Sequence, residues 1–570
     1  MSFYKSKDTE YALNKIKESE IIYASMEIGL VSEVKTYSGG LGVLAGDTLR
    51  SCADLALPVT GITLLYRKGY FEQIIHDKQQ QEASEPWNVD EYTTALPQAR
   101  VQLIIEGREV IVEPRVGIVV GHEEDVVPVL FLDTDLEEND AADREITNYL
   151  YGGDNRMRIK QEAILGIAGK RVLRRLQATN INTFHMNEGH AALAPVEDAR
   201  YLSKYYEFNT PKIQELVRSM HVFTTHTPIP AGHDKFSYEL IKEVLGAEDV
   251  AWKHLDLAGH EECNMTQLAL NFSRFTNAVA KKHAQVSRKM FPGYDIKSVT
   301  NGVHLGEWMS PHIQALLDET MPSWRHEPSI LQHAYRVIGP EQIHEAHTKA
   351  KQDLLDFVKE TTGIQLDMNK LTVGFARRFA PYKRADLIFT DINRLLELAE
   401  GKIQFVFAGE AHPKDQAGKD IIRRVLEKAE ELRGRIDVAF IPNYNMHVGK
   451  ALVSGCDLWL NNPVPPKEAS GTSGMKAAAN AVPNLSTLDG WWIEGITQDP
   501  LAGWIIHHRH DGRDEISLYE QLEHITRVYH EHRTRWNEHQ VHALALASYF
   551  NTHRMVQEYL DKAWSLKIYS

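Results

Sequence analysis

The nine residues Glu468-Ala469-Ser470-Gly471-Thr472-Ser473-Gly474-Met475-Lys476 carry the densest chemistry in the chain. They follow an apolar strand read at Asp457–Leu460 and a proline-containing turn at Asn462–Pro466. A helix starting near Thr472 would leave backbone N–H groups and the hydroxyls of Thr472 and Ser473 unpaired at its N-terminus, an arrangement that holds phosphate. Lys476 lies one turn further on, ahead of Ala477, Ala478 and Ala479, so a rigid helix carries its amine. An anchored phosphate one turn from a lysine suits pyridoxal 5′-phosphate held through that lysine. Spacing alone equally fits a solvated lysine behind an ordinary helix cap. The G-x-x-x-x-G-K-[ST] pattern of a nucleotide P-loop is absent.

A second cluster, Arg377-Arg378-Phe379-Ala380-Pro381-Tyr382-Lys383-Arg384, follows the apolar run Leu371–Phe375. Cations gathered at the carboxyl end of a strand repel one another unless an anion lies among them; a solvated basic face is the alternative. Ser38-Gly39-Gly40-Leu41-Gly42 precedes a helix-like Val43–Ala53. It would bring N–H donors close to an anion, or serve only as a turn. Among the 27 histidines, His185, His190, His226 and His233 invite a metal reading. Met186-Asn187-Glu188-Gly189 spoils the H-E-x-x-H spacing and no ligand set accompanies them, so no metal is expected.

The elements that must position these groups alternate along the chain. Leu371–Phe375, Ile403–Ala408, Ile436–Ile441 and Asp457–Leu460 read as buried strands separated by helix-compatible stretches such as Asp420–Leu432. Ile21–Met26, Val59–Leu65, Val129–Leu132, Thr183–Met186 and Val222–Thr225 repeat the style, with longer polar insertions such as Ile75–Tyr92. The fold class predicted is α/β, two Rossmann-like domains facing each other across a cleft. Their expected boundaries are 1–340 and 341–545. Ile343–Thr361 is the helical connection, Ser517–Trp564 reads as helical, and a final helix in 546–570 returns to the first domain.

Bulk properties narrow the function. A chain of 570 residues with 43% hydrophobic composition exceeds a single core. Its formal charge of −15, without long single-sign blocks, argues against nucleic acid as a partner. Cys52, Cys263 and Cys456 are far apart, as expected in a reducing compartment. The polar first twenty residues (1–20) and the absence of any run of about 18 apolar residues predict a cytoplasmic protein with no membrane partner.

The string from Glu468 through Asn480, continuing to Ser486-Thr487-Leu488-Asp489-Gly490, closely resembles the cofactor segment of the glycogen/starch phosphorylase family. The resemblance implies a two-domain glycosyltransferase of the GT-B type. It would use inorganic phosphate to release glucose 1-phosphate from the non-reducing end of an α-1,4-glucan or maltodextrin, reversibly and with retention. It implies pyridoxal phosphate on Lys476, with Thr472, Ser473 and Gly474 around it and Arg377 facing the cofactor phosphate. Arg378 and Lys383, with Gly39, Gly40 and Leu41, would hold the substrate phosphate, and Lys476, Arg378, Lys383 and His226 form the catalytic set. His226 would touch the donor glucose, Asn301 its primary hydroxyl, Glu468, Ser470 and Gly471 the glucosyl unit, and His190 the acceptor side. Glucan-binding insertions are expected in 1–340, and a homodimer is a further expectation. Similarity also runs through Tyr66–Phe71, Arg156–Glu162 and Phe550–Met555.

The glycine loop also resembles the Lys-x-Gly-Gly-Leu-Gly of glycogen and starch synthases, which makes a nucleotide-sugar transferase the rival reading, but Tyr37 stands at the lysine position. Asn445 replaces an arginine that grips the cofactor phosphate in the long family members, and Arg377 replaces a lysine. Trp491-Trp492 stands where those members have small polar residues and would either stack on glucan or pack in the core. Residues 1–37 are shorter than the segment before the loop in the long animal enzymes, so regulation by N-terminal phosphorylation or nucleotides is not expected.

Overall fold

A computed structural model describes residues 2–6, 8–246 and 252–564. Two sheets organise it, and each runs in the strand order 3-2-1-4-5-6 of a doubly wound fold. The first has Val126–Asp133, Val59–Leu64, Ile21–Ser25, Thr183–Asn187, His221–Thr225 and Phe275–Ala278 side by side and parallel, extended by Lys297–Ser298. Arg108–Val120 adds antiparallel on the other side, and Ser2–Tyr4, Thr94–Ala95 and Val101–Ile105 pair antiparallel beyond it. The second sheet has Val438–Ile441, Ile403–Ala408, Leu371–Ala376, Leu458–Asn461, Asn484–Thr487 and Gly503–Ile506, all parallel.

The central strands are apolar without alternation because helices cover both faces. Ile22 and Ala24 point into one core of the first sheet, while Ile21 and Tyr23 enter the other. Likewise Ala376 and Val406 face one side of the second sheet and Phe375 and Phe405 the other. Truncating one such phenylalanine to alanine would cost about 3–5 kcal/mol. No helix among the described residues is long and apolar enough to cross a membrane. Cys52, Cys263 and Cys456 are buried and unpaired.

The structure departs from the sequence reading at three places and decides a fourth that the sequence left open. The second sheet has two further strands, Asn484–Thr487 and Gly503–Ile506. The insertion read as a long polar loop begins as a hairpin, Glu72–His76 with Gln79–Ala83. Its buried Gln73 and Gln80 pair with Gly409 O, Ala411 and the Asn443 N–H of the second sheet's loops, at 2.8–3.0 Å. The helix read from Val43 starts at Gly40 and ends at Asp54, so most of the glycine loop is helical. Trp491 and Trp492 are 1% and 0% exposed, and Trp491 meets Phe550 edge-on, so they belong to the core and not to a sugar-stacking surface.

Helix Pro340–Thr362 precedes the second sheet, and Asp514–Glu531, Arg533–Ala545 and Thr552–Lys562 follow it. The last packs against helix Gly40–Asp54, with Ser51 and Thr552 hydroxyls 2.6 Å apart. Asn551 abuts Gly302 so closely that a side chain on Gly302 would meet Asn551 backbone atoms at 2.2 Å. Residues 565–570 of the span 546–570, like 247–251, lie outside the described residues.

Candidate active site

The carboxyl ends of both sheets open on one cavity of about 640 Å³, within the range of small-molecule sites. Gly39, Gly40, Leu41, His190, His226 and Asn301 line it from the first sheet. Arg377, Arg378, Lys383, Glu468, Ser470, Gly471, Thr472, Ser473 and Lys476 line it from the second. Of the residues given a cofactor, phosphate or sugar role in the sequence, only Gly474 is absent from this lining. A side chain there would meet Asn484 Oδ1 at 2.5 Å, so packing under the helix requires the glycine.

Lys476 lies on helix Thr472–Ala479, whose N-cap Gly471 has a φ of +86°, a left-handed conformation that favours glycine. The helix stops at Asn480, and Pro483 follows. The Lys476 amine has no hydrogen bond or ion pair among the described residues and lies 3.5 Å from the centre of the Trp308 ring. Burial pushes its pKa down to about 8, against the opposing pull of Asp47 and Glu307. A buried amine near neutrality is the form a carbonyl-bearing cofactor requires.

The basic cluster resolves into three roles. Arg377 Nη2 and Lys383 Nζ both donate to Glu468 Oε2 at 2.6 Å. Burial would raise the Glu468 carboxyl, but Arg377 and Lys383 outweigh it and hold it at about 2. Arg384 turns away to Asp514 and the carbonyls of Asn462 and Pro463. Arg378 alone projects into the cleft with no counter-ion among the described residues. The expectation that an anion must relieve all four cations is therefore corrected: Glu468 pairs with two of them and Asp514 with a third, and the two carboxylates offset two of the four charges internally.

The first sheet supplies a differently charged wall. Glu27, two residues past strand Ile21–Ser25, accepts from the N–H groups of Ser38 (2.6 Å) and Gly39 (3.1 Å). The Gly39 donor assigned to phosphate is thus already used. Gly40 and Leu41, in an N-terminal turn that has no side-chain cap, keep theirs. Glu188, at a φ of +74°, accepts from the His226 N–H and the Thr227 hydroxyl. Burial would raise its carboxyl, yet His226, His233 and His190 hold it below the ordinary value. His226 Nε2 is 2.6 Å from Asn187 Oδ1, and burial pushes the imidazole down to about 4, so it is neutral at physiological pH. His190 meets Asp234 at 3.4 Å. Asn301 Oδ1 and Ser470 Oγ are buried without hydrogen-bond partners among the described residues, which leaves them for a ligand.

Glu27 and Asp234 escaped the sequence reading, and Glu188 entered it without a role of its own. Glu188 directly follows a strand and Glu27 lies two residues past one, and that position was the available signal. Asn445 caps helix Met446–Gly455 through the Val448 N–H, and the Tyr37 hydroxyl accepts from the Met446 N–H at 3.0 Å. Away from the cleft, Asp54, His122 and His304 bring three ligand-type atoms within 4.8 Å of one another. His304 Nδ1 accepts the Glu307 N–H, so Nε2 carries the proton and donates it to Asp54 at 2.8 Å. That is a hydrogen-bonded cluster and not a set of metal ligands.

Two doubly wound sheets facing across one polar cleft are the architecture of the GT-B fold. The family model described as carbohydrate phosphorylase matches residues 30–125 and 247–499, and the chain belongs to that family. It is 38% identical to the maltodextrin phosphorylase of Thermococcus litoralis, over 96% of this chain and 71% of that one. It is 36% identical to the glycogen phosphorylase of Mycobacterium tuberculosis, over 88% of this chain and 65% of the relative. The glycogen phosphorylase of Aquifex aeolicus is 34% identical, over 96% of this chain and 86% of its own length. The chain thus spans about two thirds of the length of the first two relatives.

Proposed function

We propose that this protein is an α-1,4-glucan phosphorylase that carries pyridoxal phosphate on Lys476. The reaction transfers the non-reducing-end glucosyl unit of a glucan or maltodextrin to inorganic phosphate, with retention, giving α-D-glucose 1-phosphate. One observation carries the reading: Lys476 and Arg378 share a cleft and make no ion pair among the described residues, while Arg377, Lys383 and Arg384 are already paired with carboxylates. Two separate anionic groups suit that arrangement better than one.

The residues present fit the cofactor. A desolvated amine, the hydroxyls and first-turn N–H groups of Thr472 and Ser473, and the aromatic wall of Trp308 offer a tether, a phosphate cradle and a ring platform. When bound, pyridoxal phosphate would supply a second phosphate able to exchange a proton with the substrate phosphate. Arg378 and the Gly40 and Leu41 N–H groups would bind the substrate phosphate and offset the repulsion between neighbouring anions. Arg377 and Lys383, held by Glu468, would add positive potential from the side and give Glu468 a fixed position against the sugar. Neutral His226 would hydrogen-bond the donor glucose without adding charge, and Asn301 Oδ1 and Ser470 Oγ would receive its hydroxyls. His190 would face the acceptor chain. Closing the two sheets over the cleft would exclude water and favour phosphorolysis over hydrolysis.

Tyr37 at the lysine position of the synthases, together with family membership, speaks against a nucleotide-sugar donor. A cytoplasmic, homodimeric enzyme belongs to the same reading, and light scattering on the purified chain checks the dimer. The decisive experiment supplies maltodextrin and inorganic phosphate to protein reconstituted with pyridoxal phosphate, alongside the variant Lys476→Ala. Glucose 1-phosphate should form with the wild type only. Equal turnover and equal cofactor content in the variant would refute the assignment.

A further inference from the structure

Behind Lys476 lies a chain of contacts that begins on the other domain. Asp47 occupies the middle of helix Gly40–Asp54, the helix whose first turn faces the cleft, and is itself buried. Its Oδ2 accepts the Trp308 Nε1–H at 2.8 Å and the His304 N–H at 3.2 Å. The Trp308 ring lies under the Lys476 amine. Asn480, one turn after Lys476, donates from one amide nitrogen to the carbonyls of both Trp308 (2.8 Å) and Lys476 (2.9 Å). The indole is therefore gripped at its N–H by one domain and at its backbone by the other, with the amine on its face.

We propose that Asp47 is a positioning residue for Lys476: it locks the Trp308 ring as the platform on which the amine rests and sets the charge state of that amine across the domain boundary. The inference rests on the reading of Lys476 as the cofactor's anchor.

The physical case has two parts. An indole whose N–H is fixed by a carboxylate cannot rotate away, and a cation held over an indole face is attracted to it, the more so when desolvated. The carboxylate also acts through space. The charged groups around the amine are Asp47 and Arg50 on helix Gly40–Asp54, Glu307 on the turn carrying Trp308, and Lys450 on helix Met446–Gly455. Arg50 spans Asp47 and Glu307 at 3.5 Å each, and Lys450 holds Glu307 at 2.6 Å. Asp47, raised to about 6 by burial, remains ionised at neutral pH. Without it, the amine would lose its first-ranked electrostatic support and be neutral over a wider pH range.

The test requires neither bound cofactor nor turnover. The full-length chain, freed of pyridoxal phosphate with hydroxylamine, is labelled with trace acetic anhydride across a pH series, and mass spectrometry follows the Lys476 peptide. The wild-type midpoint is expected near 8. Asp47→Asn keeps an acceptor for the indole and removes the charge, and is expected to lower the midpoint by roughly one pH unit while exposed lysines stay unshifted. Trp308→Phe, which keeps a ring but deletes the N–H that Asp47 grips, should lower it by less. It carries the test if Asp47→Asn fails to unfold cooperatively on heating. Midpoints unchanged from the wild type in the folded variants would overturn the proposal. Failure of the wild type to take up pyridoxal phosphate would instead count against the proposed function.

Discussion

The two sheets share a strand order but present opposite chemistry at the cleft. The first offers Glu27, Glu188 and Asp234 with neutral His226, and each carboxylate has partners within its own domain: Ser38 and Gly39, His226, and His190. The second offers Arg377, Arg378, Lys383 and Lys476, and leaves Arg378 and Lys476 without an ion pair among the described residues. Similar scaffolds thus carry different charge: on the proposed function the second wall would supply the cations for anions, helped by the Gly40 and Leu41 N–H groups, and the first wall most of the uncharged contacts to sugar, helped by Ser470. The strand order fixes where a site lies, and the loop residues decide its charge.

The sharpest way to break this comparison is Arg378→Ala. Loss of the cation that lacks an internal partner should cut kcat/KM for phosphate about 10²–10³-fold, with little change in unfolding temperature. A loss spread equally over phosphate and glucan would contradict the division of labour. Glu468→Gln acts on the paired cations instead and should destabilise the fold by about 3 kcal/mol, since Arg377 and Lys383 would be left buried and unpaired. The sign with pH follows from a carboxyl held at about 2 against an ordinary 4.5. Its contribution is complete above 4.5 and disappears as pH falls toward 2. Thermal unfolding of the wild type should weaken across that window, and the variant should be flatter there.

On the sugar wall, His226→Ala should cost about 1–3 kcal/mol in kcat/KM for glucan through lost hydrogen bonds. With the imidazole held at about 4, the wild-type pH–rate profile should contain no His226 step above pH 5. A histidine step near neutrality, abolished by the substitution, would contradict the neutral assignment. The smallest effect is expected from Trp491→Phe: its ring is buried, so KM for glucan should change less than about twofold, while stability falls. A large rise in KM would return the tryptophan to the cleft.

Much of this was legible in the sequence because the signals are local. The helix carrying Lys476 is announced by its glycine-rich start and alanine run, and Leu371–Ala376 by its apolar length. Tertiary effects hid the rest. Asn484–Thr487 looks polar, yet Asn484 and Thr487 donate to the carbonyls of Gly474 and Pro463, which lets a polar segment lie in a buried strand. Gln73 and Gln80 look like loop residues until the backbone of the other domain takes their amides. Glu468 reads as a sugar ligand, and only the fold reveals that it first pairs with Arg377 and Lys383. Asp47 has no local signature at all, since its partner Trp308 lies 261 residues away in the chain.

The central claim is that one particular lysine bears the cofactor beside an anion-binding arginine. Its most direct test is to treat the reconstituted protein with borohydride, digest it, and locate the fixed pyridoxyl group by mass spectrometry. The account predicts the added mass on the peptide containing Lys476, and its loss in Lys476→Ala. A pyridoxyl group on any other lysine, or on none, would contradict it.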